Sequence, residues 1–388
     1  MIGPEEYRNY STSEVFALAE NKDVEGLIGV LKHNNHKHVV KRAIFALGEI
    51  KDDKAIGPLV EIGLKSELIT IRRASFRALG DIGSHEAVEP LIYAMLKEKD
   101  DTGKVDAVQA LGKMKDSRAV KTLTVLMHDT GENTNVREET VEALGKMATE
   151  EAIIGLIAAL DGELKEKVSE VLKEIGQPAV MPLIAALGGD KEPIIWETAT
   201  ILGEIRDKRA VKPLITLLLD PNKDEWRRGY YVAVALGRIG DTDALKPLIQ
   251  LASRHTEEML TGMSVKAMGD IGDNRAVEPL IAILEDEGTA DCSHLRMETC
   301  HALGKIRDVR AIESLIRILR DTRNNIAAIR DAAASALVQF DDDRIELPLL
   351  QYYGGELDSM IAETSAEDMH LGTLQGISKL IARLIGKS

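Results

Sequence analysis

The stretch AMGDIGDNRAVEPLI at residues 267–281 decides the fold, because copies of it recur along the whole chain. Other clear copies are ALGEIKDDKAIGPLV at 46–60, ALGDIGSHEAVEPLI at 78–92 and ILGEIRDKRAVKPLI at 201–215. The glycine position of the motif holds, in turn, Gly48, Gly80, Gly112, Gly145, Lys173, Gly203, Gly237, Gly269, Gly304 and Val338. These ten positions are 28–35 residues apart, which is typical of a two-helix repeat.

The residues before the glycine position have the spacing of a helix. Mostly small or apolar residues stand 9, 5, 4, 2 and 1 positions before it and 2 positions after it. This is one face of a helix and not the alternation of a strand. Ala and Gly on that face let one helix backbone approach the next closely. We call this predicted helix the B helix.

A second helix, the A helix, is predicted to follow four residues after the glycine position. Nine copies have a residue typical of an N-cap there: Asp52, Ser84, Asp116, Thr149, Asp207, Asp241, Asp273, Asp308 and Asp342. Proline then falls in the first turn, where a missing N–H costs nothing. Each repeat is therefore an αα-hairpin, and the fold class predicted for the chain is an all-α αα-superhelix.

The repeats are predicted to occupy residues 22–350. An N-terminal capping helix over 1–21 is expected from the capping box Ser11 and Glu14. The steps of 28 and 30 residues between Gly145 and Gly203 predict a shortened A-to-B loop near 161–163 and a change of curvature near 160–180. Residues 351–388 are predicted to form a helical cap, with partner docking or a membrane-surface helix as alternatives.

The motif resembles the HEAT-like repeats of the phycobilin-lyase type. That resemblance implies a right-handed solenoid with the B helices on its concave face. Proteins with such repeats include chromophore lyases, scaffolds and a di-iron hydroxylase of the deoxyhypusine hydroxylase type. The hydroxylase has paired His-Glu dipeptides on its B helices, whereas the matching stretches here begin Arg72-Arg73, Arg137-Glu138 and Arg296-Met297. We therefore expect no catalysis.

The composition limits which classes of partner and ligand are expected. The net charge of −15 makes nucleic acid an unlikely partner. The chain has two cysteines and no apolar run long enough to span a membrane, which favours a cytoplasmic protein. The groups His33, His36, His38 and Cys292, His294, Cys300, His301 have poor spacing for zinc, and Cys300 is interpreted as a core residue. No metal or cofactor is predicted.

The candidate site lies at the B-helix positions 7, 6 and 3 residues before the glycine position, which should point into the groove. Basic residues there are Lys41, Arg42, Arg73 and Arg77, and the acidic residues that follow include Asp106, Glu138, Glu139 and Glu142. In repeats 6 to 9, aromatic residues and methionines stand at these positions or close to them: Trp196, Trp226, Tyr230, Tyr231, Met263 and Met297. The charges are open to a second interpretation as solvated helix faces, and the aromatics as filling between repeats.

The arginines 8 residues before the glycine position, such as Arg72 and Arg137, recur in register and are expected to bond the cap aspartates. Because scarce aromatics at groove positions are typical of interface anchors, the predicted function is a protein-interaction scaffold or assembly factor. It would bind another protein and be monomeric on its own. The alternatives are a chromophore or cofactor carrier and, more weakly, a nucleic-acid or phosphate binder using the basic N-terminal repeats.

Overall fold

The computed structural model describes residues 10–34, 36–220, 227–253, 258–286, 293–321 and 327–353. Its contacts divide the chain into two compact units, Met1–Pro182 and Leu183–Ser388. Both units consist of helices, as the fold class predicted. Of the segment 1–21 predicted to form a capping helix, residues 10–21 are described, whereas the predicted C-terminal cap 351–388 lies outside the described residues beyond 353.

The B helices are present in all ten repeats, and most have the same length. They are Lys37–Ile50, Ile69–Ile82, Asp101–Met114, Thr134–Met147, Lys165–Ile175, Glu192–Ile205, Glu258–Ile271, Ser293–Ile306, Ala327–Leu337 and, in repeat 7, a π-turn Arg228–Ala233 continued by Val234–Ile239. Within each unit, B helices of successive repeats pack against one another, while successive A helices make few contacts.

The A helices precede the B helices on the other side of each hairpin. They are Val24–His33, Ile56–Pro58 with a π-turn Leu59–Gly63, Val88–Lys97, Val120–His128, Glu150–Ala158, Val180–Ala186, Val211–Leu219, Leu245–Ala252, Val277–Glu285 and Ile312–Arg320. From repeat 2 onwards, nearly all are preceded by a short 3₁₀ turn that begins after the cap residue, as at Asp53–Ala55.

The glycine of the motif packs on the backbone of the next repeat. A Cβ atom placed on Gly80 would lie 2.8 Å from the Cα atom of Ala110, and one on Gly269 would lie 2.7 Å from the Cα atom of Ala302. In both pairs the alanine stands two residues before the next glycine position. The prediction that small residues permit close helix packing is confirmed, and we call this contact the Gly–Ala seam.

The cap positions also behave as predicted, with one exception. The side chains of Asp52 and Asp308 accept hydrogen bonds from the backbone N–H two residues later, and Thr149 accepts one from Ala152. Ser84 makes no such bond. Just before most of the caps, the B helix ends on a residue in the left-handed region, which is Gly83 with φ +73° in one repeat and Lys51 with φ +59° in another.

Repeat 5 is irregular in a different way from the one predicted. Its B helix Lys165–Ile175 has 11 residues, whereas the B helix of repeat 4 has 14. The missing residues come from the first turn of the B helix, not from the A-to-B loop. Asp161 and Gly162 have low helix propensity, which accounts for the late start. At its seam, a Cβ on Gly145 would meet a methyl group of Val171 instead of an alanine backbone.

The N-terminal helix Thr12–Glu20 begins at the predicted capping box. The N–H of Glu14 donates to the Ser11 hydroxyl at 3.2 Å, and the N–H of Ser11 donates to the Glu14 carboxylate at 2.7 Å. After repeat 10, a further helix occupies 346–353.

Candidate partner-binding surface

The side chains 7, 6 and 3 residues before each glycine position form one face of the B helices, which we call the B face. Most are exposed or half-buried, and the intervening positions, such as Ala43 and Ile44, are buried in the core. The helical register predicted for the candidate residues is therefore correct. Their contacts differ between the two units.

In repeat 1, the predicted basic residues lie beside exposed phenylalanines. The Arg42 guanidinium lies over the Phe16 ring, 3.9 Å from its centroid, and the Lys41 ammonium lies 5.5 Å from the centroid of Phe45. These distances fit cation–π contacts. A cavity of about 560 Å³ opens between the N-terminal helix and this part of the B face.

In repeats 2 and 3, the predicted basic and acidic residues are partners. Nε of Arg73 donates to Asp106 at 2.6 Å, and the Arg77 guanidinium donates to the same carboxylate at 2.8–2.9 Å. The Asp106 side chain is 2% exposed, so both arginines compensate a buried charge. Arg73 and Arg77 thus have a structural role. Lys41, Arg42, Arg73 and Arg77 therefore do not form one uncompensated basic patch.

The acidic residues of repeat 4 are partly paired. Glu142 forms an ion pair with Lys167 of repeat 5, and the hydrogen bond from Lys167 to Glu142 raises the pKa of that lysine. Glu139 lies 3.9 Å from Lys146 on its own helix, and Glu138 is exposed. The acidic side of the B face is therefore only partly neutralised.

In unit 2, three aromatic side chains form a cluster on the B face. The Trp196 and Tyr231 rings are stacked at 6.0 Å between centroids, and Tyr230 meets Tyr231 edge-on at 5.0 Å. Tyr230 is 42% exposed, but Trp196 is only 3% exposed. The expectation that Trp196 faces an open groove needs correction: its indole is covered, and Tyr231 is one of the groups packed on it. Trp226 lies outside the described residues.

The two methionines of the prediction continue the same face. Met263 and Met297 are half-buried at the corresponding positions of repeats 8 and 9. Met is adaptable in shape and is common at surfaces that accommodate a partner. The B face of unit 2 therefore has an aromatic part in repeats 6 and 7 and a sulfur-containing part in repeats 8 and 9.

The recurrent arginines before the B face have the structural role expected of them, with different partners. Arg72 makes two hydrogen bonds to Glu98, at 2.7 and 2.9 Å. Arg137 donates to the carbonyl of Met127 and to Glu163. Glu98 and Glu163 lie in the A-to-B loops of the following repeats, whereas Met127 lies on the A helix of the same repeat as Arg137; none of the three is a cap aspartate.

A second arginine position was missed from the sequence. An arginine stands two residues after the cap aspartate in several repeats, and Arg310 makes two hydrogen bonds to Asp308 at 2.8 and 2.9 Å. Its guanidinium also donates to the carbonyl of Asn274 in the preceding turn, as Arg118 does to the carbonyl of His85. The hydrogen bonds from Arg310 lower the pKa of Asp308 despite its partial burial. The recurrent Asp-x-Arg spacing was the available signal.

The histidines and cysteines considered for metal binding do not form a metal site in the described ranges. No three His, Cys, Asp or Glu side chains in those ranges are placed to hold an ion. Cys300 is fully buried, and burial raises the pKa of its thiol to about 12, which confirms its interpretation as a core residue. Cys292 lies outside the described residues. None of the described helices combines the length and hydrophobicity that a membrane crossing requires.

The family is identified by sequence matches that span more than half of the chain. A model of HEAT repeats matches residues 24–111, 88–168 and 228–292. The chain belongs to the HEAT-repeat family. Compared with curated proteins by sequence, this HEAT-repeat chain matches none.

Solved structures resemble the HEAT-repeat chain in fold. Kap121p bound to Nup53p has a TM-score of 0.51 at 10% identity, covering 95% of this chain and 49% of that one. Kap121p bound to the extreme C-terminus of the phosphatase Cdc14p has a TM-score of 0.50 at 10% identity, covering 97% and 52%. The chain thus spans about half the length of these karyopherins. Human deoxyhypusine hydroxylase has 16% identity over 84% of this chain and 98% of that one, but its TM-score of 0.31 supports no conclusion.

Proposed function

We propose that the protein is a non-catalytic interaction scaffold or assembly factor that binds a partner protein on the B face of unit 2. The observation that carries this proposal is the aromatic cluster. Tyr230 is exposed, its ring meets Tyr231 edge-on, and Tyr231 is stacked with the buried Trp196. An aromatic side chain fixed in advance loses little conformational entropy on binding, and such residues dominate interface energetics.

The neighbouring positions suit a protein partner. Met263 and Met297 extend the apolar surface, and their flexible side chains adapt to a partner's shape. In the proposal, Tyr230 is the anchor and Trp196 supports it. The proposal includes that the protein is monomeric on its own and is located in the cytoplasm.

The test is affinity capture from the native lysate with wild-type protein and two single variants. Tyr230→Ala should remove at least one captured protein, whereas Ile154→Ala, at an exposed apolar site on the A helix of repeat 5, should retain it. Thermal unfolding of each variant shows whether the fold is intact. A partner that Tyr230→Ala retains, with the fold unchanged, contradicts the proposal.

The second candidate is a repeat protein of the phycobilin-lyase type that holds a chromophore or cofactor. The Leu-Gly, cap aspartate and Pro-Leu-Ile pattern supports that repeat type, and the same aromatic cluster would be the binding surface. An absorption band above that of protein in the purified material, lost in Tyr230→Ala, would favour this role. The weaker nucleic-acid alternative loses support because Arg73 and Arg77 are paired with Asp106.

A further inference from the structure

A cavity on the opposite side of unit 1 is separate from the B face. It has a volume of about 570 Å³ and lies between the A helices of repeats 2 and 3. Val60, Leu64 and Tyr93 contribute apolar surface, and Lys65, Lys97 and Lys99 surround it. Its size is in the range of sites that hold small ligands or single side chains of a peptide.

The A helix of repeat 2 is distorted at this cavity. Leu59–Gly63 forms a π-turn, and it is the only one among the A helices in the described part of the chain. Gly63 lies against Ser75, because a Cβ atom there would come within 2.0 Å of the Ser75 hydroxyl. Single π-turns are frequent at functional sites because they redirect the side chains that follow. Here the residues that follow are Leu64 and Lys65.

One end of the cavity is rigid. Arg72 holds Glu98 through two hydrogen bonds and also donates to the carbonyls of Ser66 and Glu67, each at 3.0 Å. Burial alone would raise the pKa of Glu98, but the hydrogen bonds from Arg72 and from two backbone N–H groups outweigh it, so the pKa is lowered. Glu98 is therefore a carboxylate whose charge Arg72 already balances.

The three lysines have no such partner. Within the described residues, none of Lys65, Lys97 and Lys99 has a carboxylate at ion-pair distance, and Lys97 lies 5.8 Å from the centroid of Tyr93. With Arg72 and Glu98 cancelling, the lining is net positive in a chain whose net charge is −15. Uncompensated positive charge around an apolar floor is complementary to a ligand that is both anionic and apolar.

Exposed apolar side chains continue beyond the cavity. Leu96 is 59% exposed, three residues after Tyr93 on the same helix, and Leu68 is 51% exposed at the end of the loop that follows Leu64. A small anion would leave both uncovered. A peptide segment is long enough to cover them while one side chain enters the cavity.

We propose that this cavity binds an acidic segment of a partner protein. An apolar side chain of the segment enters beside Tyr93 and Leu64, and its carboxylates meet Lys65, Lys97 and Lys99. The inference rests on the proposed role in protein binding but places a second contact on the A side, independent of Tyr230.

The test uses a short fluorescein-labelled peptide in which glutamates flank two phenylalanines, followed by fluorescence anisotropy. Lys65→Glu/Lys97→Glu should weaken its binding about tenfold or more, since two attractive contacts become repulsive. The matched control Lys212→Glu/Lys246→Glu changes two exposed lysines on the A helices of repeats 7 and 8 by the same charge and should bind like the wild type. Binding should also fall as salt rises.

Two altered peptides and one B-face variant complete the design. Replacing the glutamates by glutamine, or the phenylalanines by serine, should each weaken binding to the wild type. Equal binding of either altered peptide, or equal loss in the lysine control, overturns the inference. Tyr230→Ala should leave peptide binding unchanged, so a failure of this site and a failure of the B-face proposal are distinguishable.

Discussion

The B faces of the two units use the same helix positions for different chemistry. In unit 1, Arg73 and Arg77 converge on the buried Asp106, so the charges of neighbouring repeats satisfy one another. In unit 2, Trp196 is buried at the same position as Arg73, and the next repeat covers it with Tyr231. Both arrangements join adjacent repeats, but only the second leaves an aromatic edge, Tyr230, at the surface.

The difference shows that a position on the B face is not by that fact a binding position. The residue 7 positions before the glycine is long enough to reach the next repeat, and both Arg73 and Trp196 do so. A residue becomes available to a partner only when the next repeat leaves it uncovered. The following experiments test this distinction, from the largest expected effect to the smallest.

Trp196→Ala should lower the free energy of unfolding by about 3 kcal/mol, because it removes a large buried side chain and leaves a cavity. Tyr230→Ala, one step further out in the same cluster, should change it by less than about 1 kcal/mol. Denaturant unfolding of both variants measures the difference. Similar losses of unfolding free energy in the two variants would mean that Tyr230 is also a core residue. The contrast between a covered Trp196 and an available Tyr230 would then be wrong.

Arg73→Ala/Arg77→Ala should lower the free energy of unfolding by about 2 kcal/mol, since it leaves the Asp106 carboxylate buried without its cations. The estimate is below the range for fully buried pairs because both arginines are partly exposed. The control is Lys305→Ala, which breaks the exposed pair with Asp270 and should cost at most about 0.5 kcal/mol. If the two costs are equal, the B-face charges of unit 1 are only solvated.

Gly112→Ala should lower the free energy of unfolding by about 1–2 kcal/mol, because the new Cβ would lie 2.8 Å from the Cα of Ala143 and force the helix backbones apart. Gly145→Ala should cost less, about 1 kcal/mol, because its close contact is with one side-chain methyl group of Val171 and not with a helix backbone. Melting temperatures of the two variants, in adjacent repeats of one unit, give the comparison. The reverse order would show that repeat 5 is packed as tightly as its neighbours.

Much of the fold was predictable because the same residue types recur at the same positions in most repeats. The glycine and the alanine two residues before it permit close helix packing, and the aspartate caps a helix. Each of these roles follows from the residue type, and the repetition makes the pattern easy to recognise. The pairing of Arg73 with Asp106 was also accessible, because the two stand 33 residues apart, about one repeat. Grouping the residues by the sign of their charge left Arg73 and Asp106 in two separate patches, although they lie in adjacent repeats.

The rest depends on packing that no single repeat specifies. Trp196 is stacked with Tyr231 of the next repeat, and Tyr231 belongs to the π-turn Arg228–Ala233. The π-turn at Leu59–Gly63, which shapes the A-side cavity, likewise has no periodic signal. The interpretation of Lys41, Arg42, Arg73 and Arg77 as one basic patch does not hold for Arg73 and Arg77, because both pair with Asp106 of the next repeat.

The arginine that stands two residues after five of the seven cap aspartates has a consequence for how such a chain can change in length. Arg118 fastens its own turn and the turn before it through Asp116 and the carbonyl of His85, and Arg310 does the same through Asp308 and Asn274. Arginines at the same position, Arg209, Arg275 and Arg344, also bond the cap aspartate of their own turn. A duplicated or excised copy would bring matching ends to its new neighbours, so the number of repeats is free to vary while each junction stays chemically the same.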